Sequence, residues 1–302
     1  MYHLATVFPF IRRFRIPLSR DQVMLLMVAV NELFLGIDTY TAHTISGTIR
    51  PNEWIPIIFG LVAGGILLLA GLIALKKRPL ATVLATLTLL ASIGVGLLGA
   101  YFHWVRAILP TAPAGQQVSV DLLVWAPPLL APLTFCLVGV LGISAAWIED
   151  PLDSGVLVLL GGRRLAMPFS KTRAYLMWVS LAILATVVSS VLDHARVHFE
   201  NPWLWVPTVV GVFATLVTAA VSFIQKPTRT DLGAYVATML GLIVVGLLGF
   251  VLHVQANLVG QNAIVVERFI RGAPFLAPLL FCNMGALGLI ALLDPNETSR
   301  PN

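Results

Sequence analysis

The sequence predicts an all-α integral membrane protein of eight transmembrane helices, arranged as two parallel four-helix repeats related by a pseudo-twofold axis along the membrane normal. Three observations lead there. Of 302 residues, 58% are hydrophobic and 11% charged, with a mean hydropathy of +0.91, whereas soluble domains run about 45–50% apolar and about 25% charged. Apolar runs of about 20 residues, long enough to cross a hydrocarbon core as helix, recur along the chain. Motifs of the first half return about 150 residues later in the second.

The runs are approximately 22–37, 55–75, 80–102, 122–148, 174–192, 203–224, 232–252 and 273–293. They must be helical, because a backbone in lipid has to satisfy its own hydrogen bonds and the alternating pattern of barrel strands is absent. The first is the shortest and most polar. Arg12, Arg13, Arg15 and Arg20 precede it as in a signal peptide, but no small-residue cleavage site follows and it contains Asn31 and Glu32, so it reads as a retained span.

The repeat is carried by named pairs. Span three ends GLLGAYFHW with His103, and span seven ends GLLGFVLHV with His253; span four contains PPLLAPLTFC and span eight PFLAPLLFC. An even number of spans per half brings both copies into the membrane in the same sense. The chain thus divides into an N-terminal arm (1–21), a first repeat (22–150), a linker (151–173), a second repeat (174–295) and a tail (296–302).

Orientation follows from the 19 lysines and arginines. Fourteen, including Arg12, Arg13, Arg15, Arg20, Lys171 and Arg300, fall on the side of the termini and linker. Only Arg50, Arg106, Arg196, Arg268 and Arg271 fall opposite. Both termini are therefore expected in the cytoplasm of a bacterial-type inner membrane, and every histidine but His3 on the outer face. The net charge of +5 serves orientation rather than nucleic-acid binding. Cys136 and Cys282 lie inside apolar runs and form no CxxC motif.

The candidate site is an outer polar layer. Asp38 precedes His43 by five residues and Asp193 precedes His198 by the same interval; His103 and His253 end the third span of each half, and His194 has only Thr39 as its counterpart. Asp with two His is a ligand set for zinc or iron, which makes Asp38, His43, His103, Asp193, His194, His198 and His253 metal candidates. Residues five apart on a helix point about 140° apart, so Asp38 and His43 share a site only if the helix ends between them. An aspartate at a helix C-terminus faces the negative end of the dipole and needs a compensating cation, for which Arg196 is placed. His103 and His253 are also candidate cofactor ligands for haem, although no histidine lies mid-span. Trp54 and Trp205 offer walls for a quinone, alongside their usual role as interface anchors. The alternative is a set of polar residues that solvate an interface.

Inside the spans, Glu32 is the candidate for proton handling, or else pairs with Asn283 or Ser189. Pro128 with Pro132, and Pro274 with Pro278, each lie one helical turn apart; they should kink spans four and eight and free carbonyls that line a cavity or shape packing. Gly139, Gly142, Gly285 and Gly288 suit close helix contact. No nucleotide-binding, metalloprotease or nucleophile-elbow motif is present. Three functions are consistent with these features. The first is a subunit of an electron-transfer or metal-handling assembly that binds a metal ion, haem or quinone in the Asp/His layer. The second is a proton-coupled transporter or channel, and the third a non-catalytic scaffold. The expected partners are the lipid bilayer, other membrane subunits and a periplasmic redox protein.

Overall fold

A computed structural model describes residues 3–13, 18–45, 47–74, 76–260 and 264–294. Arg15, Arg300 and the 296–302 tail lie outside the described residues, as do the side chains of Arg12 and Arg13. In chain order the helices are α1 (Leu4–Val7), α2 (Arg20–Ile45), α3 (Trp54–Ala74), α4 (Arg78–Ala107), α5 (Val120–Trp125), α6 (Leu130–Ala146), α7 (Lys171–Ala195), α8 (Trp205–Phe223), α9 (Arg229–Leu258), α10 (Val266–Arg271) and α11 (Leu279–Ile290).

Six of these, α2, α3, α4, α7, α8 and α9, are long and apolar enough to cross a membrane. Their outward faces carry exposed Leu72, Phe213, Leu216 and Phe223, which lipid covers at no cost. The chain is a polytopic helical membrane protein.

α2 is longer than the first apolar run. Ser19 and Gln22 cap its start reciprocally, Ser19 N–H donating to Gln22 Oε1 (2.9 Å) and Gln22 N–H to Ser19 Oγ (3.3 Å). The helix then continues past Ile37, through Asp38 and His43, to Ile45. α3 and α8 begin alike, each after one 3-10 turn opened by a proline: Pro51–Glu53 before Trp54, and Pro202–Leu204 before Trp205. The fourth and eighth apolar runs are broken. α5 ends before Pro127-Pro128 and α6 starts at Leu130, while α11 starts only after Pro278, because each proline deletes a backbone donor.

α2, α3, α4 and α6 pack on one another, as do α7, α8, α9 and α11; α6 touches α7 and α2 touches α11 across the boundary. Close approach explains two glycines. A Cβ on Gly96 would lie 2.6 Å from Cys136 Sγ and 2.9 Å from Pro132 O, and one on Gly246 would lie 2.5 Å from Cys282 N and 2.8 Å from Pro278 O. Gly139 and Gly285 sit equally tightly against the backbones of Leu89 and Met239, in agreement with the close contact expected of them.

The connection from α6 to α7 is folded. β1 (Ile148–Glu149), β2 (Val156–Val158) and β3 (Arg164–Ala166) form a small antiparallel sheet in that order. Buried Glu149 fastens it to α7, its Oε1 accepting from the N–H groups of Gly155 (2.8 Å) and Lys171 (2.9 Å).

Candidate functional site

The proline pairs and the helix-ending histidines are one device. In a regular helix the carbonyl of Pro128 would accept from the N–H four residues on, but that residue is Pro132, which has none. His103 Nδ1 donates to that carbonyl at 2.9 Å beside Ala131 N–H at 3.2 Å, and in the other group His253 Nδ1 and Ala277 N–H meet Pro274 O at 3.0 and 3.1 Å, where Pro278 supplies no donor. A carbonyl only accepts, so each Nδ1 carries the hydrogen and each Nε2 keeps the lone pair in the neutral ring. These two carbonyls each accept from an imidazole and a backbone N–H.

The Asp-x4-His spacing does not make a site by itself. α2 runs unbroken through both residues, so Asp38 and His43 point apart. His43 instead meets His103 edge to face, with ring centroids 6.3 Å apart. Beside them Arg106 pairs with Glu53 at 3.7 Å. Asp38 of α2 and Asp193 of α7 line one and the same cavity.

Around Asp193, the compensating cation is Arg196, its Nη1 at 3.8 Å and its Nε donating to Val124 O at 2.8 Å. His253 is a charge neighbour of both Asp193 and His194. His198 is exposed, in the turn after α7, with a positive φ of 51°. Trp54 and Trp205 are exposed, Trp205 stacking on Phe199 at 4.3 Å.

Among the described residues no group of three or more His, Cys, Asp or Glu side chains is placed to hold a metal ion. The pairings above account for the first-half histidines: His43 meets the ring of His103, on a helix face turned about 140° from Asp38.

Below this layer lies a cavity of about 440 Å³ lined by α2, α4, α6, α7 and α11. Its mouth holds Asp38, His43, Glu53, Phe102, His103, Arg106 and Asp193; Phe34, Phe135 and Trp178 wall it further in. From Asp193 down to Trp178 on α7 it extends about 22 Å at 1.5 Å per residue. Two amides enter it from opposite groups. Asn31 of α2 is buried, and its Nδ2 has no hydrogen-bond partner; Asn283 of α11 has none at Oδ1. Comparison with known protein families, curated proteins and solved structures finds no match.

Glu32 stands outside the cavity lining. It is fully buried, and Ser92 Oγ lies 2.5 Å from its Oε1 and 2.9 Å from Phe135 O. Its partner is thus Ser92 of α4 rather than Asn283 or Ser189.

The cavity ends at Trp178, whose Nε1 donates to Leu137 O at 2.9 Å. One turn further along α7 lies a buried ionic network that sequence reasoning missed. Asp21 accepts from Arg20 Nε (3.1 Å), Lys171 Nζ (2.5 Å) and Tyr175 OH (3.1 Å), while Arg20 Nη1 donates to Thr172 Oγ1. Arg20 and Lys171 had counted only as orienting charges. The available signal was Asp21 beside Arg20 at the start of one span, with Lys171 four residues before Tyr175 at the start of another.

Proposed function

We propose that this chain is an eight-span protein of two parallel four-helix bundles, termini cytoplasmic, whose outer-facing cleft binds a quinone-type ligand within an electron-transfer assembly. The observation that carries this reading is the cleft itself. Its volume falls within the usual range for small-molecule sites, about 300–1,000 Å³. Its walls are aliphatic with four aromatic rings among them, and its mouth is polar, which suits an apolar ring with oxygens at its edge. His103 lines it with Nε2 free to accept a ring hydroxyl hydrogen, because Nδ1 is committed to Pro128. The aspartates at the mouth offer proton acceptors on the way to the outer face.

The two-bundle reading is supported by recurring contacts. His103 with Pro128, Gly96 with Cys136 and Gly139 with Leu89 have counterparts in His253 with Pro274, Gly246 with Cys282 and Gly285 with Met239. In this reading α5 with α6, and α10 with α11, are the fourth and eighth spans, each broken at its prolines. The loop-charge asymmetry orients them. A membrane or periplasmic redox subunit is the partner that such a site calls for.

The test uses the intact chain in lipid nanodiscs. A decyl-tailed benzoquinone should quench tryptophan fluorescence saturably, and Trp178→Phe should remove most of that quenching, since Trp178 lines the cleft. Absence of saturable quenching would sink the reading.

One observation favours a second reading, a proton-coupled transporter. The cleft reaches exposed residues at the Asp38 end and stops above the Arg20–Asp21–Lys171 network at the other, the shape of an outward-open carrier. Substrate-dependent proton uptake into liposomes would support it over the first.

A further inference from the structure

We infer that the cluster of Arg20, Asp21, Lys171 and Tyr175 is a releasable clasp between the two helix groups, and that its opening connects the cleft to the cytoplasmic side. The inference rests on the carrier reading and names the element that moves.

The cluster joins one group to the other. Arg20 and Asp21 stand in the first turn of α2, and Lys171, Thr172 and Tyr175 in the first turns of α7. Lys171 Nζ and Tyr175 OH donate to Asp21 across the boundary, Arg20 Nη1 donates to Thr172 Oγ1, and the Arg20 guanidinium lies 5.0 Å from the centre of the Tyr175 ring. The Arg20 backbone N–H adds a bond to Asp294 O, beyond α11, at 2.8 Å. Farther along the same two helices the cleft intervenes, lined by Asn31 and Asp38 of α2 and by Ala182 and Asp193 of α7. At the outer end Arg196 Nε holds Val124 O, so the inner ends can separate without the groups dissociating.

The chemistry of this contact is that of a closure made to open. A permanent contact is as well made apolar, since packed hydrophobic residues in place of a buried ion pair are often neutral or stabilising. Apolar faces resist separation in water, whereas charged and hydroxyl-bearing faces regain hydration when they part. Arg20, Lys171 and Tyr175 are at most 1% exposed, yet the cluster is not filled: among the described residues Arg20 Nη2 has no hydrogen-bond partner, nor has Oε2 of Glu149, whose other oxygen accepts from Lys171 N–H. Water entering an opened inner end satisfies both. Trp178, at the inner limit of the cleft, lies one turn outward from Tyr175, so parting α2 from α7 at this level removes the barrier between cleft and cytoplasm.

The experiment adds one cysteine to the full chain, Ala182→Cys, one turn outward from Trp178; Cys136 and Cys282 do not line the cleft, and the unaltered chain gives their background. A membrane-impermeant maleimide is applied from the outer side in right-side-out vesicles and from the cytoplasmic side in inside-out vesicles, below the melting temperature of every variant. Ala182→Cys should label from the outer side, and only slowly from the cytoplasmic side. Adding Asp21→Asn, which removes the shared charge, should raise the cytoplasmic rate about tenfold. Adding Tyr175→Phe instead, which removes one hydrogen bond and keeps the ring, should raise it about fivefold, and decides the matter if Asp21→Asn does not fold. Variants that melt lower with unchanged cytoplasmic rates would overturn the clasp and leave the outward-open cleft standing. A chain that labels from neither side would overturn the outward-open cleft of the carrier reading as well.

Discussion

His103 Nδ1 donates to the carbonyl oxygen of Pro128, which also accepts from Ala131 N–H but gets nothing from Pro132, the next residue, because proline has no N–H. The two residues form one unit, which predicts their energetics. His103→Ala should cost about 1 kcal/mol, the typical net value of a hydrogen bond. In the background Pro132→Ala, which restores the missing N–H, the same change should cost less. Unfolding of the four proteins of this double-mutant cycle in detergent measures the coupling; strict additivity would refute the unit.

Burial should separate two ion pairs of almost equal length. Arg20 and Asp21 meet at 3.1 Å with side chains 1% and 11% exposed, whereas Arg164 and Asp150 meet at 3.0 Å with both largely in solvent. Asp21→Ala leaves Arg20 and Lys171 buried without their shared carboxylate and should cost about 3–5 kcal/mol. Arg164→Ala should cost no more than about 1 kcal/mol. Thermal unfolding in one detergent compares them directly.

Glycine substitutions should divide by what faces them. Gly246→Ala sets a methyl against the backbone of Cys282 and Pro278, so α9 and α11 must separate, at about 1–3 kcal/mol. Gly241→Ala, five residues earlier on the same helix, meets no atom within 4 Å. It should be neutral or stabilise by up to about 1 kcal/mol through helix propensity. A larger loss at Gly241 than at Gly246 would contradict the packing described for α9.

Glu32 and Ser92 predict a further contrast. The Ser92 hydroxyl has one hydrogen and two acceptors facing it, Glu32 Oε1 and Phe135 O, so a hydrogen on the Glu32 side completes the chain. Glu32→Gln supplies one and should preserve the melting temperature. Ser92→Ala removes the bridge and should cost about 1–3 kcal/mol. A destabilising Glu32→Gln would point instead to a role for the carboxyl beyond this bond.

The parts of this molecule that obey local rules were legible in the sequence. Apolar runs gave the six long helices, and the prolines gave the broken fourth and eighth segments. Arg196 was recognisable as the counter-ion of Asp193. What failed was a polar segment read as loop: TYTAHTI stays helical, so the expected Asp38–His43 pair points to two different neighbours. Contacts across the fold were beyond local pattern. His103 reaches Pro128, and Asp38 comes to share a cavity with Asp193, through helix packing that no spacing rule encodes. Arg20 and Lys171 carry the same signature as orienting charges, and only the meeting of α2 with α7 buries them.

That meeting also orders events during synthesis. Asp21 is translated 150 residues before Lys171, so throughout insertion of the first four apolar runs its carboxylate has Arg20 as its only network partner yet made. The lysine and tyrosine that complete the cluster arrive with the first turns of α7. Closure of this end is therefore a late step in biogenesis, and it couples the assembly of one helix group to the arrival of the next.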